Sequence, residues 1–331
     1  MIGVALLGSG FMARVHATAY AGLADRARVR VVCALTEEEA WPVAEQLGAA
    51  VSDDWGAAVA APGVEAVDVC LPTPLHRRVA EHALGAGRHV LLEKPVALTL
   101  EDADAIGAAA EAAGRVLMIG HALRFLPEIV ELRRVVAGGD LGRPLSATAL
   151  RLSAPPDWND WMLDASRSGG TPVDLMVHDF DIAATLLGPA RSVHARAVAD
   201  GRHVSALVEH ERGEAFVEGS HAMPTSFPFT SGLRVLCERG VLDHRFVAGA
   251  AEDGGNIGGG VASVLRIHPA DGSAREFAQP RDPWAAEIEH FLACVESGAG
   301  PEDGTFAQGR AALAVGLAVR RSLASGGLVK V

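Results

Sequence analysis

The first 120 residues alternate short apolar runs with amphipathic stretches, and this alternation constrains the fold more than any other feature of the chain. The apolar runs are nearly continuous, as in strands buried on both faces, and lie at 2–8, 29–35, 64–71, 88–93 and 115–120. A segment with helical spacing separates each run from the next. Buried strands that alternate with helices predict a parallel sheet covered on both faces, the doubly wound α/β arrangement.

Beyond about residue 122 the pattern changes. The strand-like segments, such as RPLSATALRLSA and HVSALVEHERGEAFVEGS, are longer, and several of them alternate apolar and polar residues. Such alternation is typical of antiparallel strands with one exposed face. We therefore predict a doubly wound domain over 1–121 and an α+β domain over 122–331, the second built on a large, mostly antiparallel open sheet.

A glycine pattern follows the first predicted strand. LLGSGFMA places Gly8, Gly10 and Ala13 in G-x-G-x-x-A spacing, directly before a helical segment. Glycine at the first position permits a tight turn, glycine at the second lets the backbone approach a pyrophosphate, and alanine lets helix and strand pack closely. Because a βαβ unit surrounds this turn, the pattern predicts a Rossmann dinucleotide-binding site rather than a plain structural turn.

The end of the second predicted strand bears on which dinucleotide binds. An acidic residue normally stands there and holds the adenosine ribose of NAD. This chain has Ala34 and Leu35 at that point, which favours NADP, whereas the glutamates that follow, Glu37 and Glu38 among them, would repel a 2′-phosphate. Both NAD and NADP therefore remain candidates.

Composition excludes several other classes of function. The net charge is −12, with no block of lysine or arginine, which argues against a nucleic-acid partner or an anionic membrane surface. The four cysteines are scattered and form no CxxC pair, so neither a metal site nor a disulfide framework is indicated. The first residues lack the pattern of a signal peptide, and no apolar run reaches the ~20 residues of a membrane span. We expect a cytoplasmic protein.

Lys94, in LLEKPVAL, is one of only two lysines in a chain with 29 basic residues, and the other is Lys330 near the C-terminus. An ammonium is a compact donor whose pKa falls on burial, whereas a guanidinium stays charged. A lysine at this position is therefore a candidate catalytic residue. The simpler interpretation is that it lies at a strand terminus where either a lysine or an arginine would be tolerated.

The segment GGTPVDLMVHDFD is the second dense stretch of ionisable residues. Asp174 and His178 are four residues apart and Asp181 three further on, so one continuous helix would present all three on one face. A carboxylate beside an imidazole can fix its tautomer and raise its basicity, as a general base requires. The structural alternative is that Thr171 caps this helix and Asp174 completes a capping box.

Other residues are weaker candidates. His76 follows the apolar run 64–71, at the edge where an α/β sheet presents its loops to a ligand. Arg124 and Trp158 are candidates for a substrate pocket.

Four motifs occur in a set order: GSGFMA, PTPLH, LLEKP and GGTPVDLMVHDFD. Together they resemble the glucose-fructose oxidoreductase/inositol dehydrogenase family (Gfo/Idh/MocA), and the resemblance spans essentially the whole chain. The segment VHDFDIA most resembles the inositol 2-dehydrogenase branch of the family. Members combine a Rossmann domain with an α+β domain whose open sheet commonly mediates homodimers or homotetramers.

The resemblance implies roles for particular residues. Lys94 would stand between nicotinamide and substrate and would donate to the developing carbonyl oxygen, His178 would take the hydroxyl proton, and Asp174 would orient His178. Glu93 and Pro95 would shape the nicotinamide side, and the Lys94–Pro95 bond is often cis in the family. The residues expected to line the cofactor are Gly8, Gly10, Phe11, Met12, Ala13, Leu35, Thr36, Pro72, Thr73, His76, Glu93 and Lys94.

The resemblance also implies an activity, the transfer of a hydride between a hydroxyl carbon of a sugar or cyclitol and NAD or NADP. Two alternatives stay open. One is a redox-assisted glycosidase or epimerase of the same family, which would hold its dinucleotide through each turnover. The other is a catalytically silent dinucleotide sensor.

Overall fold

A computed structural model of the chain describes residues 1–156, 160–248 and 262–331. Within these ranges the chain divides into two compact units. The first unit comprises Met1–Phe125 and Arg281–Arg310, and the second comprises Leu126–Pro280 and Ala311–Val331. The expected boundary after residue 121 therefore differs from the observed division, because the first unit extends to Phe125 and a later segment returns to it.

The helices and strands are numbered along the chain. The helices are α1 Phe11–Gly22, α2 Glu37–Leu47, α3 Trp55–Ala60, α4 His76–Gly85, α5 Leu100–Ala113, α6 Pro127–Gly138, α7 Asp160–Leu163, α8 Ala165–Ser168, α9 Thr171–Asp174, α10 Val177–Leu187, α11 Pro283–Ser297 and α12 Phe306–Ser325. The strands are β1 Ile2–Leu7, β2 Ala27–Cys33, β3 Ala50–Ser52, β4 Ala66–Val69, β5 His89–Glu93, β6 Leu117–Gly120, β7 Pro144–Leu152, β8 Ala190–Val198, β9 His203–His210, β10 Gly213–Ser220, β11 Thr230–Cys237, β12 Gly240–Val247, β13 Ala262–Pro269, β14 Arg275–Phe277 and β15 Val329–Lys330. Short 3₁₀ helices occupy Thr73–Leu75 and Ala122–Phe125.

The first unit contains the predicted doubly wound sheet. In the fully described segment 1–125, six strands pair in the order β3-β2-β1-β4-β5-β6, and each pair is parallel. The order reverses at β1, so the carboxyl ends of β1 and β4 meet at the point where such sheets bind ligands. The prediction missed β3 and α3, because a strand of three residues carries no measurable periodicity.

Local signals set the ends of several helices in this unit. Thr36 caps α2 by accepting the N–H of Glu39, and Gly48 ends that helix in the left-handed conformation. Thr99 caps α5 through the N–H of Asp102. Glycine suits the end of this helix, since a residue without a side chain adopts the left-handed conformation most readily.

Helix α11 explains why the C-terminal segment returns to the first unit. Ile288, Phe291 and Leu292 are fully buried, and they share a core with Ala17 and Tyr20 of α1. Amphipathic spacing in the sequence indicates that a helix buries one face, but it does not say which core receives that face.

The second unit contains the predicted open sheet. Within its described residues, nine strands pair in the order β14-β13-β12-β11-β7-β10-β9-β8-β15. The β7–β10 pair is parallel and the other pairs are antiparallel. Helix α10 packs against β7 and β10. Along β7, Ala147 and Ala149 are buried on one face, whereas Thr148 between them is exposed on the other.

The prediction of one continuous helix through GGTPVDLMVHDFD is wrong. A turn at Leu175 and Met176 separates α9 from α10, so Asp174 and His178 belong to different helices. Met176 packs directly on Gly219 of β10, where any larger residue would clash with it. The expected cap is also displaced, because Gly170 is the N-cap of α9 and the Thr171 hydroxyl donates to the Arg202 carbonyl at 3.2 Å.

Across the three ranges that the structure describes, no helix has both the length and the apolar character needed to cross a membrane.

Candidate active site

The turn between β1 and α1 has the geometry of a dinucleotide-binding turn. Gly8 has φ +128°, and a side chain there would clash with the Cys70 carbonyl group. At Gly10 the reverse holds, since an added Cβ would meet no atom within 4 Å. Ala13 is fully buried where α1 packs on the sheet. One glycine is thus required by the fold itself, and the other leaves open space above the helix N-terminus.

The N-terminus of α1 suits an anion. Gly10 is its N-cap, no side chain caps the helix, and no acidic residue stands in its first turn, which begins with Phe11 and Met12. The partial positive charge of the helix end is therefore directed at a pyrophosphate bound there. These residues fit the dinucleotide that the sequence predicted.

The end of β2 lies beside this turn, because β2 pairs with β1. Leu35 is 84% exposed there, and Thr36 is engaged in capping α2. The first turn of α2 carries Glu37, Glu38 and Glu39. The negative charge of these glutamates opposes a 2′-phosphate at this edge, so the local electrostatics favour NAD.

The loop after β4 is held by His76. Thr73 and His76 are buried, and the His76 ring lies 2.9 Å from the Leu71 carbonyl oxygen and 2.9 Å from the Pro95 carbonyl oxygen. Burial lowers the pKa of His76, so the ring is neutral and donates its one N–H to one carbonyl at a time. His76 therefore ties the Pro72 loop to the Lys94 loop, a contact that the sequence did not indicate.

Lys94 follows β5 at the same edge of the sheet. The main-chain N–H of Lys94 donates to the Oε2 atom of Glu93 at 3.0 Å, and the Lys94–Pro95 bond is cis. Burial acts to raise the pKa of Glu93, but the contact and charge of His16 and the charge of Lys94 outweigh it, and that pKa is lowered. An ionised Glu93 thus holds the main chain at Lys94.

His16 on α1 also lies against these residues. Its Nδ1 atom lies 2.8 Å from Asp68 Oδ2 and its Nε2 atom 3.4 Å from Glu93 Oε1. His16 and Asp68 are 52 residues apart in the sequence, so no spacing rule brings them together.

In the second unit, Asp174 and His178 lie on either side of the turn at Leu175 and Met176. Asp174 is 5% exposed, and its Oδ2 atom lies 3.5 Å from Nε2 of the buried His221. His221, which directly follows β10, is a further candidate residue that residue spacing did not indicate, because its contact with Asp174 depends on how α9 packs against the sheet.

Helix α10 is anchored to the sheet of the second unit by a buried ion pair. The Arg151 guanidinium on β7 donates two hydrogen bonds to Asp179, at 3.0 and 2.9 Å. Burial raises the pKa of Asp179, although the positive charge of Arg151 opposes the shift. Since Asp179 directly follows His178, this pair fixes the start of the helix that carries the histidine.

Two predicted substrate residues have different outcomes. Arg124 lies in the 3₁₀ helix Ala122–Phe125 of the first unit, is 2% exposed, and donates to Asp303 at 2.8 Å. Its role toward a substrate stays a prediction, and the ion pair supplies a structural role as well. Trp158 lies outside the described residues.

Comparison with known proteins agrees with this geometry. Residues 2–121 match an oxidoreductase family with an NAD-binding Rossmann fold, and residues 129–243 match the C-terminal domain of the same Gfo/Idh/MocA family. Inositol 2-dehydrogenase of Rhizobium meliloti is 30% identical over 96% of this chain and 96% of its own length. The 1,5-anhydro-D-fructose reductase of Ensifer adhaerens is 32% identical over 80% of this chain and 79% of its own.

A solved structure also superposes along nearly the whole chain. UDP-N-acetylglucosamine 3-dehydrogenase from Acidithiobacillus ferrooxidans has a TM-score of 0.79 and 29% identity, covering 98% of both chains.

A Rossmann unit with an open glycine turn is a dinucleotide-binding unit, and the family that it matches is one of oxidoreductases. The chain belongs to the Gfo/Idh/MocA oxidoreductase family, and its N-terminal part is the NAD-binding Rossmann domain of that family.

Proposed function

We propose that this protein is a dehydrogenase that transfers a hydride between a hydroxyl carbon of a sugar or cyclitol and NAD. The observation that carries the proposal is in the first unit, where an open glycine turn and the Lys94 loop lie at the same edge of one parallel sheet. The relatives are named an inositol dehydrogenase, an anhydrofructose reductase and a sugar-nucleotide dehydrogenase, which supports a polyol or sugar substrate.

In the proposed reaction the protein accepts one proton and stabilises the charge that develops on the substrate oxygen. His178 accepts the hydroxyl proton as a general base. Asp174 orients the imidazole of His178 and exchanges protons with it. Lys94 donates a hydrogen bond to the substrate oxygen as the carbonyl forms. The bound nicotinamide supplies the hydride acceptor at its C4 atom. Gly10 and the N-terminus of α1 would hold the pyrophosphate, and Gly8 would permit the turn that places them.

The environment of Asp174 supports its share in this mechanism. The carboxyl group is buried beside the imidazole of His221, and a buried carboxylate interacts strongly with nearby imidazoles because little water screens it. His221 therefore belongs among the residues to be tested with Asp174 and His178.

The first experiment follows nicotinamide absorbance while the protein meets a panel of polyols with NAD and, separately, with NADP. The panel includes myo-inositol, common aldoses and uronates. Reduction of NAD by one class of polyol is the expected result. If nothing is reduced but a tightly held dinucleotide copurifies, the redox-assisted glycosidase or epimerase replaces this proposal.

Replacement of Lys94 tests the assigned role directly. Lys94→Ala should lower kcat by about a hundredfold to a thousandfold, as the loss of one donor to a developing oxyanion does, with NADH binding retained. The exposed Lys330 gives a matched control, because Lys330→Ala removes the other lysine without touching the first unit. Equal activity in the two variants would refute the role of Lys94 in the proposed reaction.

We further propose that the open face of the second sheet pairs with a second copy of the chain. Leu207, Phe216 and Leu236 are each about half exposed, on neighbouring or nearby strands, and Phe216 lies opposite Leu207 in the β10–β9 pair. Large exposed apolar groups on one sheet face are typical of a protein interface.

The four free thiols support a reducing compartment, and we propose the cytoplasm.

A further inference from the structure

A cluster of buried ionisable side chains lies beneath the Lys94 loop in the first unit. It is called here the His16 cluster, and its members are His16 and Tyr20 on α1, Asp68 and Cys70 at the end of β4, Glu93 on β5, and Glu287 on α11. Among these residues, His16, Asp68 and Glu287 have no exposed surface. The proposed reaction does not use any of the three.

His16 connects two carboxylates within this cluster. Its Nδ1 atom is 2.8 Å from Asp68 Oδ2, and its Nε2 atom is 3.4 Å from Glu93 Oε1. The Cys70 thiol donates to the other Asp68 oxygen at 3.4 Å. The second oxygen of Glu93 accepts the main-chain N–H of Lys94 at 3.0 Å. A continuous path of contacts therefore runs from Asp68 through His16 and Glu93 to the backbone of Lys94.

The protonation states of the cluster are consistent with an imidazolium between two carboxylates. Burial acts to lower the pKa of His16, but the charge and hydrogen bond of Asp68 outweigh it, and the pKa is raised well above its usual value. Burial raises the pKa of Glu287 well above its usual value, and the charge of Glu93 adds to the shift. Burial likewise raises the pKa of Tyr20 and of Cys70. The positive charge of His16 is thus matched by Asp68 and Glu93.

His16, Asp68 and Cys70 also place their ligand atoms within 4.8 Å of one another, as a metal site would. The 2.8 Å separation of Nδ1 and Oδ2 is that of a direct hydrogen bond, which favours a proton-bonded network instead.

Gly120 also limits the space around the Glu93 carboxyl group. It lies on β6 and pairs with Glu93, and an added Cβ there would lie 3.3 Å from Glu93 Oε1. A side chain confined by its neighbours keeps one rotamer, and its second oxygen keeps one position for the N–H of Lys94.

We propose that His16 is a positioning residue, which with Asp68 fixes the Glu93 carboxylate and through it the main chain at Lys94. The inference rests on the proposed role of Lys94 in hydride transfer. Misplacement of a catalytic group by about 1 Å can cost a hundredfold in rate, so a buried support for this loop has a direct effect on turnover.

The two lysines of the chain allow a direct test. Isotope-labelled lysine gives backbone amide resonances from Lys94 and Lys330, and Lys330→Arg assigns them. In the full-length protein without substrate, His16→Gln is expected to shift the Lys94 resonance and leave that of Lys330 in place. His210→Gln is the matched control, because His210 is also buried and bonds only the Gly188 carbonyl at 2.7 Å among the described contacts, in the second unit.

A kinetic readout separates positioning from mere packing. His16→Gln should lower kcat by about tenfold to a hundredfold, with KM for the polyol changed by less than about threefold. His210→Gln should change neither. If His16→Gln does not fold, Asp68→Asn, which keeps the side-chain shape, provides the same two readouts.

The outcomes distinguish this inference from the proposed function. An unmoved Lys94 resonance in the folded variant overturns the inference whatever the protein oxidises. A moved resonance with unchanged kcat assigns His16 a structural role alone and also overturns it. If the polyol panel gives no turnover with the unsubstituted protein, the proposed function fails first, while the amide shift still reports whether His16 holds the Lys94 loop.

Discussion

Glu93 and Glu287 are both buried carboxyl groups of the first unit, yet their surroundings shift their pKa values in opposite directions. Burial acts to raise the pKa of each. Contact with His16 and the charge of Lys94 reverse the shift for Glu93. For Glu287 the charge of Glu93 adds to the shift, and neither of its oxygens has a hydrogen-bond partner among the described residues. The same residue type therefore has a lowered pKa in one place and a raised pKa in the other.

Removal of the buried Glu287 carboxyl should stabilise the protein. Glu287→Met is expected to raise the free energy of unfolding at neutral pH by about 1–3 kcal/mol, because an unsatisfied buried polar group costs about that much. A carboxyl whose pKa is raised in the folded state contributes stability that is present below its unfolded pKa and is lost as the pH rises through the folded value. The gain should therefore grow as the pH rises from the unfolded pKa toward the folded one.

Urea unfolding at several pH values between about 5 and about 8 measures this effect. Glu289 is the control, because it lies on the same helix, is partly exposed and pairs with Arg281. Glu289→Met should change the free energy of unfolding little. A Glu287→Met variant that is less stable at neutral pH would show that the carboxyl makes a contact that outweighs its burial.

At the scale of elements, the turn between β1 and α1 contains two glycines with different roles, one in folding and one in binding. Gly8 has a positive φ and lies against the Cys70 carbonyl group, so the fold itself requires glycine. Gly10 has an ordinary φ of −72° and open space where a side chain would project. The sequence pattern presents the two as equivalent, and the structure shows that they are not.

Single alanine substitutions should separate these two roles. Gly8→Ala should lower the free energy of unfolding by more than about 1 kcal/mol, because alanine is strained at positive φ and its methyl group would displace the Cys70 backbone. Gly10→Ala should leave stability nearly unchanged and weaken NADH binding at least about tenfold, since the methyl group fills the space that the pyrophosphate needs. Thermal unfolding and fluorescence titration with NADH measure the two effects. Unchanged NADH affinity in Gly10→Ala would place the dinucleotide elsewhere.

At the scale of the whole molecule, the open sheet of the second unit presents apolar side chains to its surroundings. Phe216 is 46% exposed, at the middle of β10, and Leu207 lies opposite it on β9. A charge placed there would have to be desolvated if this face paired with a second copy.

Phe216→Glu should therefore dissociate the proposed homo-oligomer. Light scattering after size exclusion is expected to show a larger assembly for the unsubstituted protein and a smaller one for the variant. Val130→Glu is the control, because Val130 is 47% exposed on α6, outside the sheet. An assembly that survives Phe216→Glu would show that this face is not the interface.

Much of the fold could be predicted from local pattern. Strands buried on both faces must be nearly continuous in apolar residues, so the runs near Val4, Val67 and Leu91 predicted the parallel sheet before any contact was known. The turn at Gly8 and Gly10 was predictable for a similar reason, because only certain residues permit its backbone. The scarcity of lysine singled out Lys94 by composition alone.

Other features depended on partners distant in the sequence. His16 and Asp68 are 52 residues apart, Met176 packs against Gly219, and α11 returns to the core of α1 across most of the chain. Residue spacing indicates which face of an element is buried and which backbone conformations are allowed, because both are properties of the element itself. Which side chain meets that face depends on packing the whole unit, so only the tertiary structure decided the His16 contacts, the break before His178 and the partner of Asp174.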